Sequence, residues 1–150
     1  MANIVQRILI RTDLDLPMGL MAAQVAHLHM ETIRRSLYRD PDAKAGGRSK
    51  LPNGVFKIHF ASMGGAGANL EEWIKEPYLF VHKVPNFEVL DYFHRECLKA
   101  NIPVYLWSDT ITINISPTQK KVFPFMKIGI VVGPSDSDQI KSVIGDLPLL

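Results

Sequence analysis

Three polar side chains stand where an apolar strand runs into an apolar helix: Asp13, Gln24 and His27. A carboxylate, an amide and an imidazole are residue types suited to proton transfer and to hydrogen bonding with a developing charge. Gln24 and His27 are three residues apart, so on a helix they share one face. In open α/β sheets, ligands gather at the carboxyl ends of strands and at the first turns of the following helices. Asp13, Gln24 and His27 are expected to converge there. The same residue types also occur as satisfied polar groups of a core, and both readings stand at this point.

The elements around these residues can be read in order. Ile4 to Ile10 is a nearly continuous apolar run, which suits a central strand covered on both faces. Pro17 and Gly19 mark a turn, and Pro is tolerated in a first helical turn because its missing N–H has no partner there. A helix is expected from about Met18 to Tyr38, with Leu20, Met21, Ala22, Ala23, Val25, Ala26 and Leu28 apolar around most of its circumference. Such a surface calls for burial. Glu31, Arg34 and Arg35 turn its second half towards solvent.

Residues 40–53 hold turn-forming combinations and three basic side chains, Lys44, Arg48 and Lys50, with Arg39 just before them. They read as a solvated loop or as an arm that meets phosphate. Val55 to Ala61 alternates as a strand does. Gly64 to Ala68 is a Gly-rich turn before a short helix with Asn69 as N-cap. It has neither the Rossmann nor the Walker spacing, so no cofactor site is read from it, and no metal-ligand pattern is read anywhere.

Tyr78 to Val84 is a strand ended by Pro85, and Asn86 caps a helix from Phe87 to about Asn101. Val104 to Trp107 and Thr110 to Ile115 read as two strands broken at Asp109, with Ser116-Pro117 turning the chain. Lys127 to Val132 is the last core strand, and a helix from about Asp136 to Ile144 closes the chain. Alternation of strands and helices gives a sheet with helices on both faces. The antiparallel-capable pair after Pro103 makes that sheet mixed.

At 150 residues the chain reads as one domain, and an apolar share of 47% supports a real core. The net charge of +2 comes from interspersed charges and does not by itself imply nucleic-acid binding. Cys97 is the single cysteine, which fits a reducing compartment, and its place in an amphipathic helix reads as a buried, inert thiol. Met1-Ala2-Asn3 leads directly into a strand with no signal peptide, and no apolar run is long enough to span a bilayer. These features read as a cytoplasmic protein with no membrane partner.

The stretch from Arg11 to His27 resembles the archaeal/eukaryotic-type (type 2) peptidyl-tRNA hydrolase family. That family reads Arg-Thr-Asp-Leu, a Gly-Lys-Gly-Lys turn, then Ala-Ala-Gln and a His three residues later. Arg11 to Leu14, Ala22-Ala23-Gln24 and His27 match it. Phe80 to Pro85 looks like the family's strand ending in Leu-Lys-Val. Asp109 falls where the family has the Asp of an Asp-Ala-Gly-x-Thr-Gln motif, and Ser116-Pro117 matches the Ala-Pro downstream. Ile130 to Pro134 and Val143 to Leu150 resemble its Ile-Gly-Pro and its Leu-Lys-Leu-Leu terminus. Residues 42–68 and a few around Pro124 to Lys127 look like insertions.

The resemblance implies an α/β fold of three layers (α/β/α) with a mixed, mainly four-stranded sheet. It also implies a homodimer, and hydrolysis of the ester joining a peptide to the 3′ end of tRNA. Among the matching positions, Asp109 is the implied general base, Gln24 an oxyanion donor and His27 its orienting partner, as catalytic residues. Asp13 and Lys83 are implied to bind substrate. Met18 and Leu20 replace the turn lysines and are expected to line the same cleft with apolar surface. Thr110, Ile111 and Ile113 replace the Ala, Gly and Thr of the Asp motif. Loss of one oxyanion-type donor costs about 100–1000-fold in rate. Two readings follow: a divergent peptidyl-tRNA hydrolase, or a re-purposed homologue that binds a small molecule or a protein through the same cleft.

Overall fold

A computed structural model describes residues 3–36 and 66–150. In order these form β1 (Ile4–Arg11), α1 (Met18–Ser36), α2 (Ala66–Lys75), β2 (Tyr78–Val84), α3 (Phe87–Lys99), β3 (Val104–Ser116), β4 (Gln119–Asp136) and α4 (Ser137–Ile144). The expected strand at Val55 to Ala61 and the basic loop before it lie outside the described residues. The four strands make one mixed sheet in the order β2-β1-β4-β3. β1 pairs parallel with β2 and antiparallel with β4, so it is central, as its apolar run requires.

Strand alternation sends successive side chains of β1 to opposite faces. Val5 and Leu9 join the core under α3 and α4, with Val84, Leu90, Cys97, Ile130 and Ile140. Ile8 and Ile10 face α1, where Leu28 and Val131 pack with Ile8, and Leu16, Ile111 and Ile128 pack with Ile10. Ile4 meets Trp73 of α2 on that same side. The three layers are therefore α1 and α2, the sheet, and α3 and α4. Cys97 is fully buried, and burial pushes its thiol up to about 12, which leaves it unreactive.

Close approach of α1 depends on Gly129. A Cβ there would meet the Leu9 carbonyl oxygen at 2.6 Å and Leu28 Cδ1 at 2.7 Å. Gln6 interrupts the apolar run of β1 but is fully satisfied: Nε2 donates to Thr32 Oγ1 at 2.8 Å, and Oε1 lies 2.8 Å from His29 Nδ1. Burial holds the His29 imidazole below its ordinary range.

Four boundaries differ from the sequence expectation. Asp109 does not break β3, which runs through it with irregular register on either side. A β-bulge absorbs the mismatch without ending the pairing. β4 spans 18 residues, not six, because its first half pairs with the outer part of β3 as a two-stranded ribbon. Residues around Pro124 lie in that ribbon. α2 begins at Ala66, so Asn69 is inside the helix and is not its cap; two alanines offset the helix cost of Gly67. Asp136 is the cap of α4, its carboxylate accepting from the N–H groups of Asp138 and Gln139. Asn86 caps α3 as expected, accepting from the Val89 N–H at 3.0 Å.

Candidate active site

The helix α1 delivers Gln24 to the sheet. Only one stripe of α1 is covered: Gln24, Leu28, Glu31 and Thr32 are buried, while Ala22, Ala23 and Ala26 stay exposed. Among the described residues, the expected burial of the whole apolar circumference is thus not met. Gln24 is 2% exposed and lies over β3. Its Nε2 donates to Asp109 Oδ2 at 2.9 Å, and its Oε1 accepts from Trp107 Nε1 at 2.8 Å. Asp109 Oδ1 in turn accepts from the Thr110 N–H at 2.8 Å. Both carboxylate oxygens are therefore held, one by a buried side chain and one by the backbone.

His27, one helical turn on, lies at the open side of this arrangement. Its side chain is 51% exposed, and Nδ1 is 4.0 Å from Asp109 Oδ2. The imidazole meets the Trp107 ring edge to face, with centroids 5.2 Å apart. A half-open imidazole beside a fixed carboxylate is an arrangement that can accept a proton and stabilise the charge that results. Trp107 was not among the expected site residues. It stands two positions before Asp109, so strand alternation already puts it on the same face.

The remaining candidates fall elsewhere. Asp13 forms a two-point pair with Arg11, at 2.9 Å from Nε and 2.7 Å from Nη2. The Arg11 hydrogen bonds hold the Asp13 carboxyl below the usual range. Arg11 also donates to the Lys127 carbonyl and sits 5.7 Å from the Phe87 ring, on the α3 side of the sheet. Asp13 is thus tied to the opposite face from Gln24.

Lys83 pairs in register with Ile10, which places it on the α1 face at the end of β2, with an exposed side chain. Met18 does not line a cleft: it is 89% exposed at the first helical position. Leu20 is half-buried and packs, with Met21, Ile113 and Phe123, against the cluster of Ile10, Leu16, Ile111 and Ile128. The apolar residues that depart from the family pattern at 20, 111 and 113 thus gather in one place. A cavity of about 260 Å³ touches Ile4, Trp73 and Tyr78, at the other end of β1.

Among the described residues, no three His, Cys, Asp or Glu side chains gather as metal ligands, and no helix is long and apolar enough to cross a membrane. The family model described as peptidyl-tRNA hydrolase PTH2 matches residues 4–150. Among solved structures, a protein of unknown function from Agrobacterium tumefaciens strain C58 is similar, with a TM-score of 0.53 and 14% sequence identity. The match covers 100% of this chain and 99% of that one, and it concerns the fold alone. A search of curated proteins finds no match.

Proposed function

Since this chain belongs to the peptidyl-tRNA hydrolase PTH2 family, we propose that it hydrolyses the ester joining a peptide to the 3′ end of tRNA. The observation that carries this reading is the Gln24–Asp109 hydrogen bond at 2.9 Å, which holds a carboxylate beside the half-open His27. An imidazole suits proton abstraction near neutral pH better than a carboxylate does. In this reading His27 takes a proton from water as the water oxygen adds to the ester carbonyl. Asp109 stabilises the imidazolium. His27 then returns the proton to the ribose oxygen as the acyl–oxygen bond breaks. Gln24, committed to Asp109 and Trp107, is a positioning residue rather than an oxyanion donor. Lys83, on the same face, supplies positive charge to the tRNA end.

The test is peptide release from peptidyl-tRNA by the purified chain. His27→Ala and Asp109→Asn are each expected to lower kcat by roughly 100–10,000-fold, the usual span for a lost general base. A wild-type chain that releases no peptide removes the hydrolase reading, and a rate indifferent to both substitutions removes His27 and Asp109 from its chemistry.

The proposal takes residues 1–150 as one cytoplasmic domain, with 42–68 inserted, assembled as a homodimer. The exposed Ala22, Ala23, Ala26 and Met30 of α1 support an apolar contact between copies. Sedimentation at micromolar concentration should give a dimer, and a monomer would withdraw that part.

A further inference from the structure

The ribbon formed by the outer halves of β3 and β4 carries one residue that packing does not explain. Phe125 is 83% exposed and has a φ of 51°. Non-glycine residues with bulky side chains avoid that left-handed region. Its neighbours Phe123 and Met126 pack against the apolar cluster below, while Phe125 has no part in it. The bulge explains the geometry: Asp109 pairs with Met126 and Ile111 with Phe123, so Pro124 and Phe125 together oppose Thr110. The Phe125 N–H donates to Thr110 Oγ1 at 3.3 Å, and the Thr110 N–H donates to Asp109. A strained backbone that carries a solvent-facing ring thus lies two hydrogen bonds from the candidate catalytic carboxylate. Strain held at such a place is a sign of function.

Charge on the ribbon narrows what the ring meets. Residues 110–127 contain Lys120, Lys121 and Lys127 and no acidic side chain. Lys121 Nζ lies 4.7 Å from the Phe123 ring centroid. An exposed aromatic on a strand that also carries lysines suits single-stranded nucleic acid, whose bases stack on rings irrespective of sequence and whose phosphates are neutralised by cations. We infer that Phe125 is a stacking platform for an unpaired base at the 3′ end of an RNA, with Lys120 and Lys121 meeting its phosphates. The inference rests on the peptidyl-tRNA reading for its substrate and adds an element of the β3–β4 ribbon that holds the RNA end.

Binding of deacylated tRNA to the full chain, followed by fluorescence anisotropy, tests it without any ester being present. Phe125→Ala is expected to weaken binding of intact tRNA roughly 5–150-fold, the span of one base stack. Phe125→Trp restores it. Phe125→Gly, which suits the backbone at that position, matches Ala and guards against a folding artefact. The salt dependence stays unchanged in these variants. In a Lys120→Ala, Lys121→Ala double variant it becomes shallower by about 0.7 for each phosphate that a lysine no longer neutralises. A tRNA trimmed of its single-stranded end binds wild type and Phe125→Ala alike. Intact tRNA bound within twofold of wild type by both Phe125→Ala and Phe125→Gly overturns the inference. So does a weakening that persists with the trimmed tRNA, which would point to a protein contact for the ring. A chain that binds RNA through Phe125 yet releases no peptide would instead contradict the hydrolase reading.

Discussion

The two faces of the sheet bury their apolar side chains differently. Against α3 and α4 there is one cluster of 11 buried residues drawn from six elements and the loop at Ile102. Against α1 and α2 the burial of the described residues breaks into three smaller clusters. Buried polar side chains stand at the seams. Gln6 lies along β1 between Ile4 of one cluster and Ile8 of the next. Gln24 hydrogen-bonds Trp107, which packs against two of the clusters. A continuous core gives stability; a divided one leaves seams where polar groups can be held and half exposed. The candidate chemistry sits on the divided face.

The comparison can be broken most strongly from its closed side. Leu90 is fully buried in the large cluster. Leu90→Ala should cost about 2–5 kcal/mol in unfolding free energy. Chemical denaturation measures that cost, and peptide release per folded molecule should stay at the wild-type value. A drop in turnover with stability intact would mean that the two faces do not divide their work.

Acid should produce a smaller effect. His82 is buried on the α4 side, where its Nδ1 lies 3.0 Å from the Leu147 carbonyl oxygen and its Nε2 has no hydrogen-bond partner within the structure. Burial, first, and the nearby Arg7 hold its imidazole below the ordinary range, against the opposing hydrogen bond to Leu147. The unfolded chain therefore takes up the proton more readily than the folded one. The stability contributed by neutral His82 is complete above about pH 6.5 and is lost as the pH falls through its lowered folded value. Melting temperatures between pH 7 and pH 5 should fall by a few degrees, and His82→Gln should flatten the slope. His29 and His94, also lowered by burial, act in the same direction, so an unchanged slope in His82→Gln would assign the effect to them.

The smallest expected change is at Met18. With 89% of its surface in solvent, Met18→Ala should alter stability by less than about 0.5 kcal/mol and leave peptide release unchanged. A large effect on either would mean that Met18 has a role in the divided face after all.

How far these elements could be read beforehand follows from how local their causes are. β1, β2 and the Asn86 cap lie where apolar runs and cap chemistry put them, because each is decided within a few residues. The continuity of β3 through Asp109 was hidden, since a carboxylate in a strand signals a break unless a partner strand supplies the bulge. The first half of β4 was hidden for a related reason: Pro124 and the lysines read as loop until they pair with β3. Gln24, His27 and Asp109 were named from spacing and resemblance, and the structure sets them side by side. Asp13 was named with them but is claimed by Arg11, two residues away.

Leu20, Ile111 and Ile113 stand where the family pattern has a lysine, a glycine and a threonine, and all three meet at one cluster. The three apolar side chains suit one another. A lysine returned to position 20 alone would face the branched side chains now at 111 and 113. A glycine returned to 111 alone would open a hole beneath Leu20. A relative with a lysine at position 20 should therefore carry small or polar residues at the other two positions.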